Sequence, residues 1–340
     1  MMTIKDIARL SGFSVGTVSR VINHHPDISE STRKKVLEII EQEKFQPNIT
    51  ARTLKQTVGS SIAVFVVGHS NLFFADLVEK VEQRLHSSGE EVNVVYIDER
   101  SNPLIEAIRA QQDMKPKGMI FLGGNINEFR EDFGKITVPC VLLTNYASSL
   151  SFDNLSSFSI DDEKASKEVV KYLLKHGHRN IAVLGGSKES SQTSNRRLES
   201  VEQELREHDI PFDESKQYIE CRYSLEDGYK GMQKLLETTL ETTAIFALSD
   251  TIAFGAIRAI KDAGKSCPED ISVVGYDGIN VGKYAIPRLC TIRQNTELLA
   301  QKSVDNLLLR LNYKEKIAHE LVEFEFIEGE SVAFLKGAKE

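Results

Sequence analysis

Apolar residues recur at helical spacing over residues 3–44 and then give way to short solid apolar runs. Ile4, Ile7, Ala8 and Leu10 mark the stripe of a first helix. Thr3 stands where it can cap that helix, with Asp6 three residues on as the second half of a capping box. Gly12-Phe13-Ser14 reads as a tight turn, and Ser14 can cap a second helix from Val15 to about Asn23. His24-His25-Pro26-Asp27 breaks it, and a third helix follows over 31–43 with Val36, Leu37, Ile39 and Ile40 inward. Two helices joined by a three-residue glycine turn form a helix-turn-helix signature.

From residue 61 strands alternate with helices. Apolar runs at 61–67, 92–97, 118–122 and 138–143 predict strands, with helices over 73–88, 103–113 and 125–134. In the first of these helices Phe74, Leu77, Val78, Val81 and Leu85 form the inward stripe. A second set starts near 157, with strands at 180–184, 244–248 and 271–275 and helices near 162–176, 195–208, 225–237 and 250–263. Repeated strand–helix–strand units imply parallel sheets with helices on both faces. The fold class is therefore α/β, an all-α helix-turn-helix head on a two-lobed body, because this much chain exceeds one comfortable core. Ligands in such folds sit at the carboxyl ends of strands, here also between lobes.

Charge sharpens this picture. The 340 residues carry a net −8, but residues 1–57 hold nine Lys/Arg against six Asp/Glu, a net of +3. The rest of the chain has 33 basic and 44 acidic side chains, a net of −11. A basic head on an acidic body suits a protein that offers one end to a polyanion. No long uncharged apolar run and no apolar signal core at MMTIKDIARL is present, so neither a membrane span nor export is expected, and a cytoplasmic location is. Cys140, Cys221, Cys267 and Cys290 are scattered without CxxC or zinc-finger spacing, so neither a metal nor another cofactor is expected.

The order of residues in the head is the most specific signal. TIKDIARLSGFSVGTVSRVINHHPDISESTRKKVLEIIEQEKFQPNITARTL closely resembles the head of the lactose/galactose repressor family: DxA, GxSxxTVSRVxN, TRxxV and PNxxARxL are all in place. The resemblance continues to about residue 335. It implies a head over 1–46, a hinge helix and linker over 47–60, and a body over 61–335 like periplasmic binding proteins. The N-lobe would be about 61–160 plus 292–319, and the C-lobe about 161–291 plus 320–335. A second helix this short fits the ~12 Å major groove. Val15 and Gly16 would then face bases and Arg20 would reach a guanine, although Arg20 can also be read as a solvated helix residue. Thr17 and Ser19 would hold phosphates, with Thr3, Ser14 and Asn23 beside them. Asn48–Leu54 is only about two turns long, too short for an isolated helix. The resemblance pairs it with its dimer mate in the minor groove, Leu54 wedging into a base step beside Asn48, Ala51 and Arg52. The alternative is a linker leucine packed on the body.

In the body the resemblance is carried by HSNLFF (69–74), GHRNIAVLGG (177–186), SDTIAFGAIRAI (249–260), SVVGYD (272–277) and LCTIRQ (289–294). Asn71-Leu72-Phe73 replaces the usual asparagine-proline-phenylalanine, and Ser200-Val201 stands where glycine and an aromatic usually follow the arginine. Carried over, the effector residues would be Arg197, Ser249, Asp250, Asp277 and Gln294, with Phe73 and Phe74 from the facing lobe. An Arg fork and an Asp carboxylate suit the hydroxyls of a polyol, and aromatic faces suit a sugar ring. Each has a structural alternative: Asp250 as a helix cap, Arg197 as a surface partner of Glu199 or Glu202, Phe74 as core.

The partners so implied are a palindromic double-stranded operator, a small effector such as a sugar, and a second copy of the chain. Only KGAKE follows the last apolar run, so a tetramer-forming leucine tail is not expected. Control by a phosphorylated carrier protein or by a purine stays open. An enzyme is not expected, since LGGSKESS is neither GxGxxG nor a P-loop and no GxSxG elbow occurs. A periplasmic sugar-binding protein would lack the head.

Overall fold

The computed structural model describes residues 4–14, 17, 18, 21, 28–42, 61–68, 70–238, 241–313 and 315–335. It divides into two compact units, residues 1–58 and 59–340. In the smaller unit α1 (Ile4–Ser11) and α2 (Glu30–Gln42) pack with the helical residues Thr17, Val18 and Val21 around Ile7, Ala8, Val18, Val21 and Val36, all buried. Ser14 caps as expected, its Oγ accepting from Thr17 N at 3.1 Å while its carbonyl accepts from Val18 N at 3.0 Å. Leu10 and Leu37, expected inward, are exposed; Ile39 and Ile40 cover the small core as expected, joined by Phe13 and Ile28. Of the sequence-derived contact residues, Thr3, Val15, Gly16, Ser19, Arg20, Asn23, Asn48, Ala51, Arg52 and Leu54 lie outside the described residues, as does the hinge.

The larger unit holds two six-stranded sheets with the same wiring. The first runs β11-β5-β4-β3-β1-β2, made of β1 (Ser61–Val67), β2 (Glu91–Ile97), β3 (Gly118–Leu122), β4 (Cys140–Leu143), β5 (Leu155–Ile160) and β11 (His319–Val322). The second runs β12-β10-β9-β8-β6-β7, made of β6 (Ile181–Gly185), β7 (Tyr218–Glu220), β8 (Ala244–Ala247), β9 (Ser272–Asp277), β10 (Cys290–Gln294) and the antiparallel β12 (Phe324–Ile327). Helices cover both faces: α3 (Leu72–Ser87), α4 (Pro103–Asp113), α5 (Ile126–Asp132) and α11 (Thr296–Tyr313) in the first lobe, and α6 (Asp162–Lys175), α7 (Gln192–Glu207), α8 (Glu214–Gln217), α9 (Leu225–Leu236) and α10 (Asp250–Asp262) in the second. The chain passes between lobes three times, after β5, β10 and β11. Residues 292–294 therefore belong to the second sheet and 320–322 to the first, a few residues from the boundaries inferred from sequence.

Strand β5 reads LSSFSI, yet all six residues are buried. Its serines are satisfied internally: Ser156 Oγ accepts from Ala318 N at 3.1 Å and Ser157 Oγ from Ala147 N at 2.9 Å. Each sheet reverses its direction of growth next to its first strand, so the loops after β1 and β3, and after β6 and β8, diverge at the carboxyl edge. That divergence opens a crevice on each sheet, and the two crevices face one another.

In the second lobe α9 and α10 cross at two glycines. A Cβ on Gly255 would overlap Leu225 O and lie 2.6 Å from Tyr229 N, and one on Gly228 would lie 2.8 Å from Ile252 Cα. Backbone cannot retreat as a flexible side chain can, so Gly255→Ala is expected to cost about 1–3 kcal/mol in urea unfolding. Ile105→Ala, on an exposed side chain, should stay within about 0.5 kcal/mol.

Candidate functional site

The facing crevices enclose one cavity of about 350 Å³, lined from both lobes. Its floor is a buried guanidinium. Arg197 of α7 is 4% exposed, donating from Nε to Asp162 Oδ1 at 2.8 Å and from NH1 to Leu248 O at 2.8 Å. Its guanidinium carbon lies 3.6 Å from the Tyr276 ring centroid, and Tyr276 donates its hydroxyl to Asp162 Oδ1 at 2.8 Å. Burial opposes the charge on Arg197 most strongly, but Asp162 together with Tyr276, Tyr223 and Asp277 outweighs it, and the guanidinium holds its proton more tightly than in water. The surface pairing with Glu199 or Glu202 is thereby excluded: Arg197 turns inward.

Asp277 ends β9 at the cavity wall with φ +114, a left-handed backbone costly for a non-glycine residue and typical of functional sites. Gln294 at the end of β10 donates to its Oδ1 at 2.8 Å, and the Ser249 hydroxyl bonds the same carboxylate. Burial pushes the Asp277 carboxyl up to about 7, against the opposing pull of Arg197, Gln294 and Ser249.

Ser249 and Asp250 do not line the cavity. Ser249, not Asp250, caps α10, accepting from Thr251 N at 3.1 Å. Asp250 is fully buried and braces the turn beyond β9, accepting from Ile279 N at 2.8 Å and from Thr291 Oγ1 at 2.5 Å. Burial and the neighbouring Asp277 hold its carboxyl well above the usual range. Both residues support Asp277 from behind.

On the facing lobe Asn71 caps α3, its side chain accepting from Phe73 N at 3.0 Å, so the loop forms its cap without the family's proline. Both phenylalanines pack on the core. Phe73 is 3% exposed and joins it with Leu77, while half-buried Phe74 packs against it, as the stripe implied, and against Gly123, whose Cβ would come within 3.0 Å of its ring. Both rings reach the cavity.

Sequence reasoning missed the residues that join the lobes. Asn145, after β4, accepts from Thr193 Oγ1 at 2.6 Å and donates to Gly124 O at 2.9 Å. Asn125 donates to Glu189 O at 3.0 Å across the cleft. Arg222, after β7, pairs with Glu99 at 3.2 Å and Asp98 at 3.7 Å, both after β2. None carries a motif; Asp162 and Tyr276 were detectable only as the residue opening a helix and the neighbour of Asp277. His178 is structural, its Nε2 lying 3.0 Å from Ala333 O and its Nδ1 3.1 Å from Thr243 Oγ1. Among the described residues no cluster of three His, Cys, Asp or Glu is placed to hold a metal, and no helix is long and apolar enough to cross a membrane.

A helical head followed by a body of this kind defines a DNA-binding transcriptional regulator. Residues 3–48 match the bacterial regulatory proteins of the lacI family, and residues 170–332 match the periplasmic binding protein-like domain. The chain is 37% identical to the HTH-type transcriptional regulator MalR of Clostridium butyricum over 97% of its own length and 99% of that relative. The Lac repressor dimer bound to operator and the anti-inducer ONPF matches with a TM-score of 0.77 at 27% identity, over 98% of this chain and 99% of that one. A LacI family transcriptional regulator from Enterococcus faecium with bound ribose matches with a TM-score of 0.67 at 26% identity, over 80% of this chain and 99% of that one. The protein belongs to the lacI family of bacterial regulatory proteins.

Because the Asp277 carboxyl sits near 7 when folded against 3.8 ordinarily, the native state keeps a proton there that the unfolded chain has lost. Its contribution to stability is therefore present at low pH and lost as pH rises toward 7. Buried His178, its imidazole shifted by burial below its usual value, acts in the opposite sense, so the comparison needs a variant. Ligand-free protein should lose urea-midpoint stability between about pH 4 and 7 more steeply than Asp277→Asn does; equal slopes would remove Asp277 as the titrating group.

Proposed function

We propose that the protein is a cytoplasmic, homodimeric repressor of carbohydrate-utilisation genes whose operator affinity is switched by a sugar held between its lobes. The observation that carries this reading is the cavity wall: a charge-compensated Arg197 floor, and an Asp277 carboxylate oriented by Gln294, opposite the rings of Phe73 and Phe74. Oriented acceptors and donors opposite apolar rings suit the two kinds of surface a sugar presents. Bound ribose in the E. faecium relative and the operator in the Lac repressor complex agree with it.

In this reading Ser14, Val15, Gly16, Thr17, Ser19, Arg20 and Asn23 enter the major groove, with Thr3 at its edge. Asn48, Ala51, Arg52 and Leu54 form a hinge that folds only when paired in the minor groove. The wedge costs a few kcal/mol of unstacking, offset by the contacts a bent duplex allows. Ligand in the cleft changes the angle between lobes and hence the spacing of the two hinges; the coupling required is about 1–3 kcal/mol. The protein performs no catalysis; the cleft binds and releases.

A palindromic duplex recovered by random-site selection gives the operator. Leu54→Ala should weaken binding to it by at least about tenfold, measured by fluorescence anisotropy, while leaving the melting-temperature rise caused by a bound sugar unchanged. Equal operator affinity for the variant would remove the wedge. A protein that selects no duplex at low salt would remove the whole reading.

A further inference from the structure

Sugars reach a cytoplasmic regulator either neutral or carrying a phosphate or a carboxylate, and the charges around the cavity separate the two kinds. An enclosed site for an anion needs a cation whose charge is not already matched, or free backbone N–H groups at helix starts. The buried lining cation, Arg197, is matched by Asp162 and spends Nε and NH1 on protein acceptors. Arg222 is held at the mouth by Glu99 and Asp98. The remaining lining cations, Arg100 and Lys234, are exposed to solvent, where screening weakens them. Against four lining cations stand five lining carboxylates, of which Asp277 is buried and Asp227, Glu99 and Glu128 are half-buried. Burial holds the last two above the usual carboxylate range, which marks the mouth as a poor place for a further negative charge.

The helix starts at the cleft are also occupied. The first turns of α3, α5 and α7 each have an N–H already bonded by a capping side chain, from Asn71, Asn125 and Ser191. A phosphate at any of these ends would compete with the cap for that N–H.

The topology places the Arg222 pair. β2 and β7 are the edge strands of their sheets, on the side opposite β5, β10, β11 and β12, which border the three chain crossings. The pair therefore closes the mouth farthest from the pivot. An anion that took Arg222 would leave Glu99 and Asp98 facing it unpaired.

We infer that the cleft selects an uncharged sugar, with Asp277 inside and the Arg222–Glu99 pair at the mouth rejecting phosphorylated and carboxylated forms. This rests on the cleft being a sugar site. A neutral polyol keeps every one of these bonds and can still share the Asp277 carboxylate at the cavity wall. Specificity then comes from like charge placed against the wrong ligand rather than from extra contacts with the right one.

The test uses the full-length protein at about pH 8, where Asp277 is ionised, with matched probes: glucose, glucose 6-phosphate and glucuronate; ribose and ribose 5-phosphate; maltose and maltose 6′-phosphate. Thermal shift finds the set that binds, and calorimetry gives the ratio within it. The neutral member should bind at least about tenfold more tightly than its charged counterpart. Asp277→Asn, and separately Asp98→Asn with Glu99→Gln, should each narrow that ratio by at least about threefold. A charged member binding as tightly as its neutral counterpart, or a ratio unmoved in both variants, overturns the inference and leaves the sugar site standing. If no probe of either charge shifts the melting temperature while the protein still binds its operator, the sugar site itself is lost, and the inference with it.

Discussion

A buried ion pair holds the body's working surface together. Taking a guanidinium and a carboxylate out of water costs several kcal/mol per ion unless geometry and hydrogen bonds offset it. Arg197 and Asp162 meet those terms with a direct contact, a backbone carbonyl, a tyrosine hydroxyl and a tyrosine face. The four partners come from the start of α6, from α7, from the loop after β8 and from β9, so one interaction fixes the relative positions of four elements at the cleft. Tyr276, locked in this cluster, is followed by Asp277, whose unusual backbone angle is tolerated because Gln294, Ser249 and the Asp250 brace surround it.

The two sheets share one wiring, which explains why both lobes present ligand-facing loops at the same edge. It also explains how the lobes can move. Three short crossings join them, all on one side; one apolar cluster includes residues of both sheets, and the contacts described at the cleft are a few polar bonds. Those bonds are the kind that water can replace at small cost, so the angle between lobes is a soft coordinate and a ligand bridging the cleft is enough to bias it. The ion pair at the far mouth is half exposed and therefore weak by itself, but it sits where a given rotation produces the largest displacement.

Much of this was legible in the sequence. The strands at 61–67 and 118–122 and the helices at 103–113 and 250–262 follow directly from apolar period and caps. Strand β5 was hidden because its buried serines do not look apolar, and the partners of Ser156 and Ser157, such as Ala318 N and Ala147 N, lie elsewhere in the chain. Period alone placed Phe74 in the stripe and left Phe73 outside it; Leu77, Val78, Val81 and Leu85 are buried as read, Phe74 packs against them, and Phe73 joins the same face. Motif carry-over found Arg197, Asp277 and Gln294. It also brought in Asp250, whose acidity serves the fold from behind the wall. The lobe-joining residues Asn145, Thr193 and Arg222 were illegible for a plain reason: their partners are distant in the chain and depend on how two separately wired sheets face each other.

The central claim is that the angle between the lobes, and not the sugar itself, sets operator affinity. Cysteines introduced as Glu99→Cys and Arg222→Cys and joined by a short bis-maleimide would fix the mouth closed without ligand. The account predicts that the cross-linked, sugar-free protein binds its operator with the affinity of the sugar-saturated native protein, and that added sugar changes it no further. A cross-linked protein that keeps the affinity of the ligand-free form would contradict it.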